Sequence, residues 1–294
     1  MTARKYIPVI LTVLALILPE CTEQIEVKVD SSYTRLVVEG YVTTDTAAHW
    51  VKLTTTSDYF YNRPAPVVSG ATVTIDDGDQ VRYLTETDSL PGTYFTESGF
   101  YGIPGRTYTL DIRNVDVNGD GVEEEYRASS ELNPVNPIDS VKLRYFSAFG
   151  SSGYEVQVWA QDPPRRDWYS FRVHKNGVLL TDTLSEMIVQ NDDFFNGNYT
   201  YGITSQFLSN DKPDEVVAAG DTITFEIDGI TKDYYQFILE AQSQVYGQTP
   251  LFSGPPANIR TNLSNGAIGY FTAWSAAYSS TVATEEVVNG GDEK

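Results

Sequence analysis

The chain has 294 residues, with 20 Lys and Arg against 40 Asp and Glu, one cysteine and two histidines, for a net charge of -20. That length fits two domains with a core each, and a 41% apolar share excludes a disordered chain. One cysteine closes no internal disulfide, and the acidic balance argues against nucleic acid, whose binding needs Lys and Arg to displace counterions.

Arg4 and Lys5 precede an apolar run from Ile7 to Leu18, broken only by Pro8 and Thr12. As a helix, twelve residues rise about 18 Å, short of the roughly 30 Å hydrocarbon core. A positive start and a short apolar stretch read as an export signal over residues 1–20. Cys21, the sole cysteine, stands three residues after Leu18, where a lipoprotein signal places its lipid attachment site. Glu20 departs from that pattern, which prefers a small residue there. The expectation is a palmitate-bearing lipoprotein anchored through Cys21, with 21–32 as a tether. Its charge would be repelled by anionic lipid, so residence needs the anchor.

From residue 33 the pattern has period two. Leu36–Val42, Trp50–Thr54, Ala71–Ile75, Thr93–Phe95 and Thr107–Ile112 are β-branched or aromatic runs. Asp76-Asp77-Gly78, Pro91-Gly92 and Pro104-Gly105 read as the turns between them. Short strands at this spacing predict an Ig-like or transthyretin-like β-sandwich over 33–132. The two Asn-Pro steps in Asn133–Pro137 favour extended chain and set the boundary. Strands resume at Ser140–Tyr145, Tyr154–Trp159, Trp168–His174 and Thr222–Ile227. From Thr231 to Tyr246, Tyr234, Phe237, Ile238, Ala241 and Val245 fall on one helix face. Thr231 caps its start, and Gly247 with Pro250 ends it. The fold expected is all-β, two sandwich-like domains (33–132 and 138–282), the second carrying one amphipathic helix, then a disordered acidic tail, 283–294.

Candidate sites are few. Asp116, Asn118 and Asp120, with Gly121, match the first half of a Ca2+ loop, in which alternate oxygens converge on one cation. Position twelve is Arg127 where a bidentate Glu is needed, and Asn-Gly and Asp-Gly serve equally as a hairpin tip. Asp192, Asp193, Phe194, Phe195, Tyr199 and Tyr201 mix rings with carboxylates, as a sugar or peptide site does; rings filling the end of a sandwich give the same pattern. Tyr59–Arg63 is a smaller cluster of that kind. His49 and His174 stand in neither an HExxH nor a nucleophile-elbow context and read as exposed strand residues. No cofactor and no catalysis are expected.

Three stretches, in order, carry a resemblance: Leu36–Val42; Val68–Ile75 with Pro91–Tyr94 and Pro104–Leu110; and Asn265–Phe271. Together they resemble the Bacteroidota lipoprotein family known as the domain of unknown function numbered 4249. The second stretch is also similar to the transthyretin-like or carboxypeptidase-regulatory sandwich. The resemblance implies an outer-membrane lipoprotein of a Gram-negative envelope, an accessory partner of a TonB-dependent uptake receptor. A glycan- or peptide-binding surface protein without a receptor is the alternative. Such envelopes carry O-glycans at Asp followed by Ser or Thr and an apolar residue. Thr46, Ser89, Ser140, Thr183 and Thr222 stand in that pattern, against roughly one or two occurrences expected from composition.

Overall fold

The computed structural model describes residues 34–57, 64–148, 150–246 and 259–290. Alternation governs the first strand, β1 (Leu36–Thr43): Leu36, Val38 and Val42 are buried on one face, while Val37, Glu39 and Tyr41 take the other. There follow β2 (Trp50–Thr55), β3 (Thr72–Asp76), β4 (Val81–Tyr83), β5 (Thr85–Thr87), β6 (Leu90–Phe95), β7 (Thr107–Val115) and β8 (Glu124–Glu131). Asp77 makes the expected turn, its Oδ1 accepting the amide N–H groups of Asp79 and Gln80 at 3.0 and 2.9 Å. Pro91-Gly92, read as a turn, instead runs inside β6, where Pro91 occupies the second position, ahead of the residues that pair with β2.

The second half supplies β9 (Ile138–Ala148), β10 (Ser151–Ala160), β11 (Trp168–Lys175), β12 (Val178–Leu179), β13 (Ile188–Asn191), β14 (Ile203–Ser209) and β15 (Thr222–Ile230). After them come α1 (Lys232–Tyr246), β16 (Ile268–Val282) and α2 (Glu285–Val288). Thr231 caps α1 as expected, its Oγ1 accepting the Tyr234 N–H at 3.2 Å. Ile238 and Ala241 are buried beneath it, but Val245 is 63% exposed, so the buried stripe ends a turn early.

Strands β12, β11, β15, β16, β1, β2, β6 and β5 form one continuous sheet, with β13 joined to β11 as its ninth member. Its inward residues over β1, β2 and the start of β16 meet Val73, Ile75, Leu110 and Ile112 from the β4-β3-β7-β8 sheet in one hydrophobic cluster. Phe225 and Ile223 of β15 and Val173 of β11 meet Leu143, Val156 and Leu208 of the β14-β10-β9 sheet in a second. Each fully buried aliphatic or aromatic side chain there contributes roughly 1.5–3 kcal/mol. The fold is therefore all-β and sandwich-like, as the alternation predicts.

The division into consecutive domains needs correction. Leu263, Ala267, Phe271 and Ala273, all from beyond the expected boundary, belong to the first cluster. The cause is β16, which pairs in parallel with β1 (Val37 opposite Ile268, Thr43 opposite Trp274). It then continues antiparallel to β15 (Gly229 opposite Ser275, Thr222 opposite Val282). At the entry to the parallel pairing, Gly269 has φ 94°, and a Cβ there would lie 2.0 Å from the Val38 carbonyl oxygen, so only glycine fits. The expected disordered tail is corrected as well. Thr284 caps α2 by accepting the Val287 N–H, and Ala283 and Val287 are buried four residues apart. Residues 291–294 lie outside the described residues.

Candidate functional site

The outward residues of the long sheet do not all face water. Beneath α1 they line a cavity of about 740 Å³. Tyr41 of β1, Trp50 of β2 and Tyr270 and Trp274 of β16 project into it by strand alternation, and α1 adds Tyr234 and Phe237. The rings form a connected chain: Tyr41 lies 5.0 Å from Trp50 and 5.2 Å from Trp274, Tyr234 stacks near-parallel on Trp274 at 6.5 Å, and Phe237 meets Tyr270 at 4.9 Å. Burial pushes the Tyr234 and Tyr270 hydroxyls up to about 12, so both remain neutral hydrogen-bonding groups at ordinary pH.

Charge enters from the neighbouring strands, with each group paired. Arg172 Nε of β11 stands 2.9 Å from Asp228 Oδ2 of β15, and its guanidinium lies 4.9 Å from the Trp274 ring centroid. Asp228 is fully buried. That burial holds its carboxyl well above the usual range, with the adjacent Glu226 adding to the rise and Arg172 opposing it. At Glu226 burial also raises, but His174, Asp228 and Arg172 together bring it below the ordinary value. His174 Nε2 is 2.7 Å from Glu226 Oε2, and the Tyr278 hydroxyl donates to Asp45 Oδ2 at 2.6 Å. Glu39, Asp45 and Asp182 leave the lining acidic. Five buried polar atoms of that lining have no hydrogen-bond partner among the described residues: Trp274 Nε1, Thr272 Oγ1, Thr181 Oγ1, His49 Nδ1 and Arg172 Nε, the last held only by its ion pair with Asp228. Buried donors and acceptors are normally satisfied, so stacking faces and unpaired hydrogen-bonding atoms occur here in one concavity. Gln242 of α1 fastens one wall by donating to the Leu184 and Met187 carbonyls.

Of the residues singled out by sequence, His49 and His174 line this cleft, and the expected loop and metal residues lie elsewhere. Phe194 and Phe195 line a smaller cavity of about 190 Å³ between β10, β11 and β14. Phe194 is 89% exposed, whereas Phe195 stacks on Tyr169 at 6.2 Å. Asp193 pairs with Arg166 at 2.7 Å, and Asp192 is fully buried. Tyr199 and Tyr201 form an edge-on pair at 4.8 Å that does not line either cavity. Asp116, Asn118 and Asp120 form the exposed tip of the β7–β8 hairpin. Asp116 accepts the N–H groups of Gly119, Asp120 and Gly121, so the oxygens a cation would need already serve the turn.

His49 is a correction: it is 1% exposed, packed edge-on against Tyr41 and Phe100, with Nε2 accepting the Thr43 N–H. The preceding loop folds it inward, and burial lowers its basicity. His174 is half-buried on Glu226 rather than exposed. Of the glycosylation-pattern residues, Thr46, Ser89 and Thr183 are exposed in loops or turns, while Ser140 and Thr222 are half-buried in β9 and β15. Cys21 and residues 59–63 lie outside the described residues. Among the described residues no helix is long and apolar enough to cross a membrane.

Fold and cleft define an all-β protein in which two sandwiches share one sheet, with an aromatic cleft on that sheet's outer face. The family profile described as Domain of unknown function (DUF4249) matches residues 22–280, and the chain belongs to this family. No curated protein matches it.

Proposed function

We propose that the protein is a non-catalytic, lipid-anchored protein of the outer membrane that binds a ligand in the α1 cleft and acts with a TonB-dependent uptake receptor. The observation that carries the binding half is the cleft itself: six stacked or edge-on rings around unpaired Trp274, Thr272 and Thr181 atoms. Flat faces with hydrogen-bonding edges suit a sugar or a peptide. The charged groups support binding over catalysis. Arg172 is paired with the fully buried Asp228 and His174 with Glu226. The anchor rests on Cys21 behind its short apolar segment, and the receptor on the family resemblance. A transthyretin-like first sandwich is in keeping with a surface protein.

A gentle-detergent pull-down from the native membrane, followed by intact-mass spectrometry, tests the anchor and the receptor. A stoichiometric β-barrel receptor and a lipid mass on Cys21 are the expected result. Recovery of an unlipidated chain in the soluble fraction would sink the anchor.

The 190 Å³ cavity beside exposed Phe194 favours a second reading, a free-standing glycan- or peptide-binding surface protein. In that case the lipidated chain is recovered alone and binds a glycan array, with loss of signal when Phe194 and Tyr199 are both changed to Ala.

A further inference from the structure

A separate arrangement sits where the 191–202 loop returns to the sheet. Asp162 follows β10, Asp167 precedes β11 and Asp192 follows β13. All three are buried, and one carboxylate oxygen from each lies within 4.8 Å of the others. Their positive partner is one guanidinium at the edge: Arg165 Nε is 2.8 and 2.9 Å from the two oxygens of Asp167. Asp162 receives only neutral donors, the Tyr169 hydroxyl at 2.7 Å and the Gly197 N–H at 3.0 Å. Asp192 Oδ2 accepts the Asp167 N–H at 2.9 Å. Its Oδ1 has no partner among the described residues, although Asp192 is 0% exposed.

Three buried carboxylates against one edge guanidinium leave the cluster short of positive charge. A proton or a cation must supply it. All-oxygen donors select a hard cation, and at calcium's usual 2.3–2.6 Å ligand distance, oxygens on opposite sides of the ion stand about 4.8 Å apart.

We propose that Asp162, Asp167 and Asp192 form a calcium site, with Asp192 Oδ1 as the ligand that no protein group occupies. The ion ties the 191–202 loop to the β10–β11 connection and so fixes Phe195 in the wall of the smaller cavity. The site is distinct from the hairpin tip at Asp116–Gly121 and from the α1 cleft.

The test uses the full chain stripped with EDTA, titrated with Ca2+ in a calorimeter and with Tb3+ under tyrosine excitation. One calcium per chain is expected, with affinity at least tenfold weaker in Asp192→Asn and unchanged in the Asp116→Asn/Asp120→Asn variant. Because Asp192→Asn can fail to fold, Tyr169→Phe supplies a readout that leaves the carboxylates intact. Calcium stoichiometry should persist in it while sensitised terbium emission falls severalfold. Absence of calcium binding, or binding lost only with the hairpin-tip variant, overturns the site. So does an Asp162→Asn chain more resistant to urea than the wild type with or without calcium, because the cluster then holds a shared proton.

Discussion

The two sandwiches lean on the same sheet but bury different chemistry. In the first, Leu36, Val38, Leu53, Ile75, Leu110 and Ile112 fill the interior, and the hydroxyls of Tyr94 and Tyr108 are satisfied by the Val68 carbonyl and the Ile103 N–H. Its one buried carboxylate among the described residues is Asp77, held by two turn amides, Arg82 and Arg106. The second half buries Asp162, Asp167, Asp192, Glu215, Glu226 and Asp228. A buried charge is costly unless paired, and an apolar core would be as stable without it. The first half is thus organised for stability, whereas the second carries polar burial that stability alone does not require. It is there that the Asp162, Asp167 and Asp192 cluster and the Arg172–Asp228 and His174–Glu226 pairs lie.

That contrast can be broken or sharpened, beginning with the largest effect. Arg172→Ala should cost about 3–5 kcal/mol in urea denaturation, since it leaves Asp228 and Glu226 without their guanidinium. Adding Asp228→Asn should restore part of the loss. If Arg172→Ala costs no more than a surface change, the second half's charges are not coupled and the contrast fails. Phe271→Ala, in the core of the shared strand, should cost a similar 3–5 kcal/mol, with both halves lost in a single transition. Two separate transitions would show that β16 does not unite them.

Asp77→Asn should cost about 1–3 kcal/mol. Turn amides, Arg82 and Arg106 outweigh burial and lower the Asp77 pKa. Its stabilisation is therefore present above the unfolded value of 3.8 and lost as pH falls through the folded one. His49 acts in a higher window. Burial lowers it, so below 6.5 the unfolded chain binds a proton that the folded chain refuses. Stability should then decline with falling pH by at most roughly 1.4 kcal/mol per pH unit, and a His49→Gln chain should lack that slope. Phe194→Ala, at an 89% exposed position, should change stability by less than about 0.5 kcal/mol.

Much of the sandwich architecture was legible because half-buried strands alternate: β1, β2, β7 and β10 all show it. β16 was not. Ile268–Val282 is buried on both faces over Tyr270–Ser275 and is built from Thr, Ala, Ser and aromatics, so it has no period to detect. Missing it as a strand hid the return of Leu263, Ala267, Phe271 and Ala273 to the first cluster. The cleft was hidden for a related reason. Tyr41, Trp50, Arg172 and Glu226 stand on four separate strands and Trp274 on the unrecognised β16, and only the β11-β15-β16-β1-β2 order brings them together. The one signal available was aromatic residues at outward positions where Lys or Thr is usual. The 191–202 loop was visible as a mixture of rings and acids, but not that Asp192 turns inward to Asp162 and Asp167.

The late arrival of β16 also governs when the molecule can fold. Arg35 donates to the Gly266 carbonyl across 231 residues of sequence, and β1 has no parallel neighbour until the whole intervening chain has been made. Closing so long a loop is slow. Until β16 has been made, β1 pairs with β2 alone. Afterwards the same strand acts as a keystone whose removal, by truncation after residue 267, should leave both sandwiches sensitive to protease at once.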